Sequence, residues 1–298
     1  SVSRQVSDRA SRGKVSLVTD ASFRIEAGEF VAIVGGSGAG KSTLLDCING
    51  MRPATGGKIY YDSNDYYENI NTYKAIIGYV PQRDILHDDL TLERALLYTA
   101  QLRVRADLSR EELSARVKQA LADVRLTGKE HLRVSSLSGG QRKRASIAME
   151  LLSDPKVIFL DEPTSGLSPD LDMEMMELLK ELSKKGRTIV AVTHAMDNLD
   201  KCDRVLFLGR GGRVCYFGPA SGALRWFNRR SYSRVFAALS DEETSRAFAD
   251  KYRAGAAYRE LYAAFCREYG ANAIAPPLER AEPDAWEKPP ADLPGSRR

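Results

Sequence analysis

Short apolar runs that end in glycines or polar residues indicate where the strands of this chain lie. Residues 30–34 form a β-branched run that stops at glycines, which is typical of a buried parallel strand. A helical pattern follows from Lys41, and its first turn carries no acidic residue, which leaves the positive end of the helix free to meet an anion. Residues 157–160 and 188–193 indicate two more buried strands, with a helical pattern over about residues 169–185 between them. Alternating strands and helices predict an α/β fold with a mostly parallel sheet.

Two segments interrupt this alternation. Residues 56–80 are rich in tyrosine and broken by turns, which predicts short antiparallel strands joined by a polar turn at residues 62–65. The tyrosines are Tyr60, Tyr61, Tyr66, Tyr67 and Tyr73. Packing within a sheet is the favoured interpretation because tyrosine is common in strands, and stacking on a ligand is the alternative. From residue 90 to residue 152 the pattern is helical, and Ser109 with Glu112 predicts a capping box, so we expect an all-helical insert.

Beyond Pro219 the pattern changes to aromatic residues at helical spacing, which predicts amphipathic helices. These residues are Phe248, Tyr252, Tyr258, Tyr262, Phe265 and Tyr269. Docking on the core is the expected role of such a face, and a groove for a partner is the alternative. Half of the 12 prolines lie in residues 276–294, which predicts an extended linker or disordered tail.

The expected domain organisation has three parts. Residues 1–218 form the main α/β domain, with the helical subdomain at about residues 84–152. Residues 219–275 form a helical C-terminal extension, and residues 276–298 form the proline-rich linker or tail.

Composition narrows the class of protein. With 43% hydrophobic and 28% charged residues, the 298-residue chain matches folded, water-soluble proteins. The net charge of +4 is far below the excess of positive charge typical of proteins that bind nucleic acids through the phosphate backbone. No nucleic-acid partner is therefore expected. The four cysteines are far apart, without metal-ligand spacing, and fit a reducing compartment. No apolar stretch approaches the roughly 18 residues needed to span a bilayer, so work at a membrane would need a partner or further sequence.

The first motif with chemical meaning fits GxxxxGK[ST] and stands directly between a predicted strand and a predicted helix. Its residues are Gly35, Gly36, Ser37, Gly38, Ala39, Gly40, Lys41 and Ser42. Glycines let backbone N–H groups surround phosphate oxygens, Lys41 neutralises the outer phosphates, and the Ser42 hydroxyl is suited to Mg²⁺. Thr43 completes the predicted phosphate-binding set. The alternative is a tight strand-to-helix turn without a ligand.

A second motif places two carboxylates at the end of the strand at residues 157–160, where ligands of open α/β sheets bind. Asp161 can hold a metal through water, and Glu162 is then placed to accept a proton from an attacking water. Adjacent acidic residues at a strand end are often only part of a solvated loop. Their combination with the phosphate-binding motif favours a functional role.

A third motif, LSGGQ at residues 137–141, precedes a helical run from Arg142 to Leu152 and gives a second glycine-opened helix start suited to an anion. Read alone, a glycine turn that merely starts a helix is the default interpretation of this segment. With the three motifs in this order the sequence resembles the ATP-binding cassette (ABC) ATPases, whose signature is LSGGQ and whose Walker A and Walker B motifs match the two segments above. Gln82 matches the Q-loop and His194 the switch histidine, and the resemblance runs from about residue 15 to residue 218.

The resemblance implies that two copies pair head to tail, with each ATP between the phosphate loop of one and the signature of the other. Ser138, Gly139, Gly140 and Gln141 are then expected to bind ATP, with Ser138 and Gly140 acting in trans. The resemblance also implies that Gln82 links the metal and the γ-phosphate to a transmembrane partner, and that His194 contacts the γ-phosphate and orients the water. Without the resemblance, a solvated loop glutamine and a histidine in a structural hydrogen bond would be the default interpretations.

The expected site therefore has three sets of residues. The catalytic residues are Glu162, His194, Lys41 and Gln82. The metal ligands are Ser42, Gln82 and Asp161, and the cofactors are ATP and Mg²⁺. The remaining nucleotide contacts come from the phosphate-binding motif and the signature.

Two features depart from the family pattern. No aromatic residue precedes Phe23 to stack on adenine, so base recognition rests on aliphatic contacts or on residues beyond this chain. The D-loop has Ser168 where the family usually has aspartate after Ser-Gly-Leu. With Pro169 next, Ser168 is equally typical of an ordinary helix N-cap, so a role across the dimer stays open.

The pattern at residues 202–219 resembles the G subfamily, or White-type half-transporters, which place the ATPase before the membrane domain. We therefore expect the nucleotide-binding domain of an ABC transporter, an exporter, at the cytoplasmic face of the cell membrane. Its transmembrane domain would follow in the same full-length chain. One alternative is a soluble ABC ATPase of translation or DNA repair, although such proteins usually carry paired cassettes or a long coiled coil. The other is a nucleotide-gated interaction module with little turnover.

Overall fold

The computed structural model describes residues 1–7, 14–104, 108–194, 196–270 and 274–278. In chain order the strands are β1 (Val2–Ser7), β2 (Lys14–Ala21), β3 (Phe30–Gly35), β4 (Gly56–Gly57), β5 (Tyr60–Tyr61), β6 (Asn64–Asp65), β7 (Ile77–Val80), β8 (Val157–Asp161), β9 (Thr188–Val192), β10 (Arg204–Gly209) and β11 (Arg213–Gly218). The helices are α1 (Lys41–Ile48), α2 (Ile70–Tyr73), α3 (Leu92–Arg103), α4 (Arg110–Asp123), α5 (Gly139–Leu151), α6 (Pro169–Lys184), α7 (Ala220–Trp226), α8 (Tyr232–Leu239), α9 (Glu242–Ala254) and α10 (Ala256–Tyr269).

A six-stranded sheet with the order β11-β10-β3-β9-β8-β7 forms the centre of the fold. The pairs formed by β10, β3, β9, β8 and β7 are parallel, and β11 runs antiparallel to β10. Every residue of β3 is buried, as expected for a central strand covered on both faces. The predicted α/β fold with a mostly parallel sheet is confirmed. The carboxyl ends of β3, β8 and β9 meet at one edge, so the segments that follow them lie close together.

The antiparallel part of the fold differs in detail from the prediction for residues 56–80. Within this segment the strands β4, β5 and β6 are antiparallel, as expected, and Asp62 and Ser63 form the β5–β6 hairpin turn with positive φ angles. Strand β4 joins β1 and β2, which the sequence did not predict, in a three-stranded sheet with the order β2-β1-β4. The end of the segment does not fit, because Ile77–Val80 pairs in parallel with β8 as an edge strand of the central sheet. The prediction of antiparallel strands up to Val80 was therefore wrong for β7.

The helical insert consists of α3, α4 and α5, which pack against one another through buried aliphatic residues. The predicted capping box of α4 is confirmed: the Ser109 hydroxyl accepts from the Glu112 N–H, and the Glu112 carboxylate accepts from the Ser109 N–H. Helix α5 begins at Gly139, three residues earlier than the pattern at 142–152 suggests, because Ser138 caps it.

The predicted amphipathic helices after Pro219 are present as α9 and α10, preceded by α7 and α8. Phe207 on β10 is fully buried, and its ring lies 5.2 Å from that of Phe227, 5.9 Å from Tyr232 and 5.8 Å from Phe236 between ring centroids. Phe248, Tyr252 and Tyr258 are buried as well, whereas Phe265 and Tyr269 pack on Tyr60 of β5. The aromatic face therefore docks on the core.

The prediction of a linker or tail at residues 276–298 falls almost entirely outside the described residues. Among the helices that the structure does describe, none combines the length and the hydropathy required to cross a bilayer.

We predict that Phe207→Ala lowers the free energy of unfolding by about 3–5 kcal/mol, since it removes a buried ring and leaves a cavity between β10 and the helices after residue 219. Urea unfolding followed by circular dichroism measures the change. Leu102→Ala is the control because Leu102 is 87% exposed, and it should change stability by less than about 0.5 kcal/mol. Equal effects of the two substitutions would contradict this packing.

Candidate functional site

The phosphate-binding motif forms the loop that joins β3 to the start of α1. Lys41 is buried, and its Nζ donates to the carbonyl oxygens of Gly35 at 3.1 Å and Gly36 at 3.0 Å. The ammonium group therefore lies inside the curve of the loop. The first turn of α1 contains no acidic side chain, which leaves the positive end of the helix free to meet an anion.

One glycine of this loop is required by a close approach of the backbone. Gly40 has a φ of +91°, and a Cβ at this position would lie 2.2 Å from the carbonyl oxygen of Leu17 on β2. Strand β2 is itself held next to the loop that joins β10 to β11, where the Thr19 N–H donates to the Gly212 carbonyl at 3.2 Å. The outer antiparallel sheet thus supports the phosphate loop from behind.

Ser42 and Asp161 bring two oxygen atoms together at the carboxyl edge of the sheet. The Ser42 hydroxyl donates to Asp161 Oδ1 at 3.1 Å. Burial raises the pKa of Asp161 and lowers the pKa of Lys41, although the carboxylates of Glu162 and Asp161 oppose the shift of the lysine. A divalent cation bound to Ser42 and Asp161 would favour the ionised carboxylate of Asp161. An anion bound at Lys41 would favour the protonated ammonium group. Hydroxyl and carboxylate oxygens are the ligands that Mg²⁺ prefers, so this pair fits the metal.

Glu162 lies between two of the other predicted site residues. Gln82 Nε2 donates to Glu162 Oε2 at 2.7 Å, and His194 Nε2 lies 3.1 Å from Glu162 Oε1. The Glu162 backbone has a positive φ of 52°, and its N–H donates to the Val192 carbonyl at 2.9 Å, which aims the side chain across the strand ends. Gln82 was also expected to ligate the metal with Ser42 and Asp161, but its amide contacts Glu162 in this structure.

The signature segment lies apart from this group of contacts. Ser138 caps α5 in a capping box with Gln141, so these two side chains bond to each other's backbone N–H groups. A Cβ at Gly140 would lie 3.5 Å from Leu171 of α6, while Ser138 and Gly139 are exposed. The structure therefore joins the Walker A and B segments, Gln82 and His194 in one place and presents the signature at a separate helix start.

Ser168 occupies the N-cap position of α6 with Pro169 at the first helical position, as the helix-start interpretation expects. Its hydroxyl makes no capping hydrogen bond to the helix. The positional part of that interpretation is confirmed, whereas the expected hydrogen bond is not formed.

Comparison with known proteins agrees with this geometry. The profile of the family described as "ABC transporter" matches residues 18–165. An ABC transporter ATP-binding/permease protein of Mycobacterium tuberculosis is 36% identical over 77% of this chain and 27% of its own length. ABC transporter G family member 1 of Dictyostelium discoideum is 37% identical over 76% of this chain and 30% of its own length.

Two solved structures share the fold. CbiO1 of Clostridium perfringens, described as part of an ABC transporter complex, is 30% identical, with a TM-score of 0.63 over 76% of this chain and 93% of its own. The chain belongs to the ABC transporter ATP-binding family. A dimeric ATP-binding cassette in a post-hydrolysis state, bound to ADP and Pi, is 28% identical, with a TM-score of 0.65 over 74% of this chain and 96% of its own.

The resemblance on which the sequence analysis relied is thereby confirmed. The chain is an ABC transporter nucleotide-binding domain, and domains of this family bind ATP, generally with Mg²⁺, and hydrolyse it. It spans less than a third of the length of the two curated relatives above.

Sequence reasoning missed one residue that shapes the site of this ABC domain, Lys143. Its side chain is buried on α5, where Nζ donates to the backbone carbonyl of Gln82 and lies 3.5 Å from Asp84 Oδ1. The Ser146 hydroxyl donates to the same carboxylate oxygen at 2.9 Å. Lys143 therefore ties the Q-loop to the helix that the signature starts. The signal available in the sequence was the helical spacing, since Lys143 lies one turn after Gly140 and one turn before the apolar Ile147. This spacing places the lysine on the buried face of α5.

We predict that Lys143→Met loosens the Q-loop, because it removes the buried donor to the Gln82 carbonyl. Backbone amides at residues 82–85 should exchange with deuterium at least about tenfold faster than in the unmodified protein. Hydrogen–deuterium exchange with mass spectrometry measures this. Lys156→Met is the matched control, since that side chain is 66% exposed. Identical exchange at residues 82–85 in the unmodified protein and in Lys143→Met would show that the tether does not restrain the loop.

Proposed function

We propose that this domain powers a membrane transporter by hydrolysing MgATP between two copies paired head to tail. The observation that carries the proposal is the carboxylate of Glu162, held between Gln82 and His194 beside the Ser42–Asp161 pair and the phosphate loop. In ATP hydrolysis the protein contributes mainly by positioning groups and stabilising charge, and this cluster has the groups for both tasks.

Each side chain has a distinct part in the proposed reaction. The Lys41 ammonium and the N–H groups of the loop hold the outer phosphates. In this structure Lys41 instead donates to the carbonyl oxygens of Gly35 and Gly36 inside the loop. Glu162 accepts the proton of the attacking water, while Gln82 and His194 fix the direction of its carboxylate. Ser42 and Asp161 would hold Mg²⁺, which supplies positive charge to the phosphate oxygens.

The separate position of the signature supports the head-to-tail arrangement. Ser138 and Gly139 are exposed, and the first turn of α5 carries no acidic residue, so this helix start is open to an anion from outside the chain. One of the solved relatives is a dimer bound to ADP and Pi. We therefore infer that the signature of one copy completes the ATP site of the other.

Exposed apolar side chains support a membrane partner. Ile85 beside the Q-loop is 74% exposed, and Tyr98 and Leu102 lie one turn apart on the outer side of α3, 49% and 87% exposed. The curated relatives carry the name of transporters and are more than three times as long as the matched segment. We propose that a transmembrane domain, C-terminal in the same full-length chain, docks here at the cytoplasmic face of the membrane.

We predict that Glu162→Gln retains ATP binding and loses at least about 100-fold in the rate of phosphate release, because an amide of the same shape cannot accept the proton. With ATP and Mg²⁺ it should also accumulate as a dimer. Phosphate release, ATP titration and light scattering measure the three properties. Phosphate release at the unmodified rate would remove Glu162 from this role. An unmodified protein that binds ATP and dimerises without releasing phosphate would instead be a nucleotide-gated interaction module.

We predict that Lys41→Ala weakens ATP binding at least about tenfold, since it removes the only charge that lies within the loop. Lys118→Ala, which changes an exposed lysine on α4 of the helical insert, is the control and should bind as the unmodified protein does. Isothermal titration measures both affinities. Equal affinity in the two variants would contradict the assignment of the phosphate site.

A further inference from the structure

The tyrosines of residues 60–73 make contacts that neither interpretation of the sequence anticipated. Three of their hydroxyls donate to consecutive backbone carbonyls at the carboxyl end of α1. Tyr67 donates to Cys47 at 2.9 Å, Tyr61 to Ile48 at 2.9 Å and Tyr66 to Asn49 at 2.7 Å. The polar ends of these three tyrosines therefore meet the helix that carries the phosphate loop.

These bonds complete the set of donors for the end of the helix. The last carbonyls of a helix have no partner within it. Leu45 accepts from the Asn49 N–H at 2.9 Å and Asp46 from the Arg52 N–H at 3.0 Å, both from the chain that follows the helix. At Ile48 and Asn49 the tyrosine hydroxyls provide the donors, and Cys47 accepts from both Tyr67 and the Gly50 N–H. Because Cys47, Ile48 and Asn49 are buried, water is poorly placed to replace these donors.

The chain around the contact is shaped to admit the tyrosines. Gly50 has a φ of +78°, and a Cβ at this position would lie 2.5 Å from the Tyr66 hydroxyl oxygen and 2.9 Å from Ile70 Cδ1. The Tyr66 ring is fully buried, with centroid distances of 4.7 Å to Tyr61 and 5.6 Å to Tyr67. The donors are therefore rigid, which lowers the entropy lost in holding them at the helix end.

The hydroxyls remain donors at physiological pH. Burial raises the pKa of Tyr66 and of Tyr67 to about 12, and it raises the pKa of Tyr61 well above its ordinary value. All three therefore keep their protons under cellular conditions.

A cap at this end has consequences at the other end because α1 is short. The helix has 8 residues, which corresponds to a length of about 12 Å. Helices of two turns are marginal on their own and depend on contacts at their ends and sides. Lys41 and Ser42 form the first turn of the same helix, so fraying from the carboxyl end would change the position of both groups.

We propose that Tyr61, Tyr66 and Tyr67 are positioning residues for triphosphate binding, which fix α1 by capping its carboxyl end and so hold the phosphate loop in its binding geometry. The proposal rests on the proposed function of this site. Hydroxyl donors at the negative pole of the helix act in the same direction as the anion bound at its positive pole. The tyrosine-rich hairpin thus acts on the nucleotide through α1, without touching it.

The test removes the hydroxyls and keeps the rings. Tyr61→Phe, Tyr66→Phe and Tyr67→Phe are made singly and together, with Tyr73→Phe as the matched control. Tyr73 belongs to the same ring cluster, but its hydroxyl donates to the Tyr61 carbonyl at 2.8 Å and accepts from Asn64, and neither bond involves α1. The dissociation constant of MgATP, the KM and kcat of phosphate release, and the exchange of α1 amides are measured at a temperature where circular dichroism shows every variant folded.

The expected result is a rise of about three- to tenfold in the dissociation constant and in KM for each single variant in the α1-capping set, with kcat at saturating MgATP changed less than about twofold. Exchange of the α1 amides should accelerate in these variants and not in Tyr73→Phe. A lower melting temperature with unchanged dissociation constants would overturn the proposal and leave the tyrosines a purely structural role. Equal losses in Tyr73→Phe would overturn it as well. If the unmodified protein fails to bind MgATP, the proposed function itself fails, and that outcome is visible before any variant is compared.

Discussion

The placement of α1 against the central sheet is the constraint on which the rest of the site depends. The amino end of α1 continues from β3 through a loop that allows only glycine at position 40, because the Leu17 carbonyl approaches it so closely. Its carboxyl end is closed by the hydroxyls of Tyr61, Tyr66 and Tyr67. Leu17 lies on β2 and Tyr61 on β5, while Tyr66 and Tyr67 directly follow β6. These small sheets therefore act as the frame of the phosphate loop.

Glu162 connects the remaining parts of the site. It follows β8, accepts from Gln82 after β7 and lies beside His194 after β9, so three neighbouring strand ends meet at one carboxylate. Lys143 extends this connection to α5, whose first residues form the signature. Lys143 thus ties the Q-loop to the helix whose start we propose to serve the ATP of the partner copy. The Ser146 hydroxyl, which donates to Asp84, is a second link between the same two segments.

The fold was predictable from sequence where burial leaves a clear pattern. Strand β3 and the interior of β8 and β9 are buried on both faces, so each is a continuous apolar run. Strand β7 misled the prediction because it lies at the edge of the sheet and alternates between buried and half-buried residues, as antiparallel strands do. The capping box of α4 was predictable because all of its atoms lie within four consecutive residues.

The sequence by itself determined the family and identified the side chains of the phosphate-binding motif and of the carboxylate motif. These motifs can be read from sequence because their residues are adjacent along the chain. Only the tertiary structure decided that Gln82 contacts Glu162, that Lys143 holds the Q-loop and that three tyrosines cap α1. Along the chain, Gln82 and Glu162 are 80 positions apart, Lys143 and Gln82 are 61 positions apart, and Tyr66 and Asn49 are 17 positions apart. Backbone carbonyls are acceptors at every position of a chain, so no residue type marks the one that a distant donor will reach.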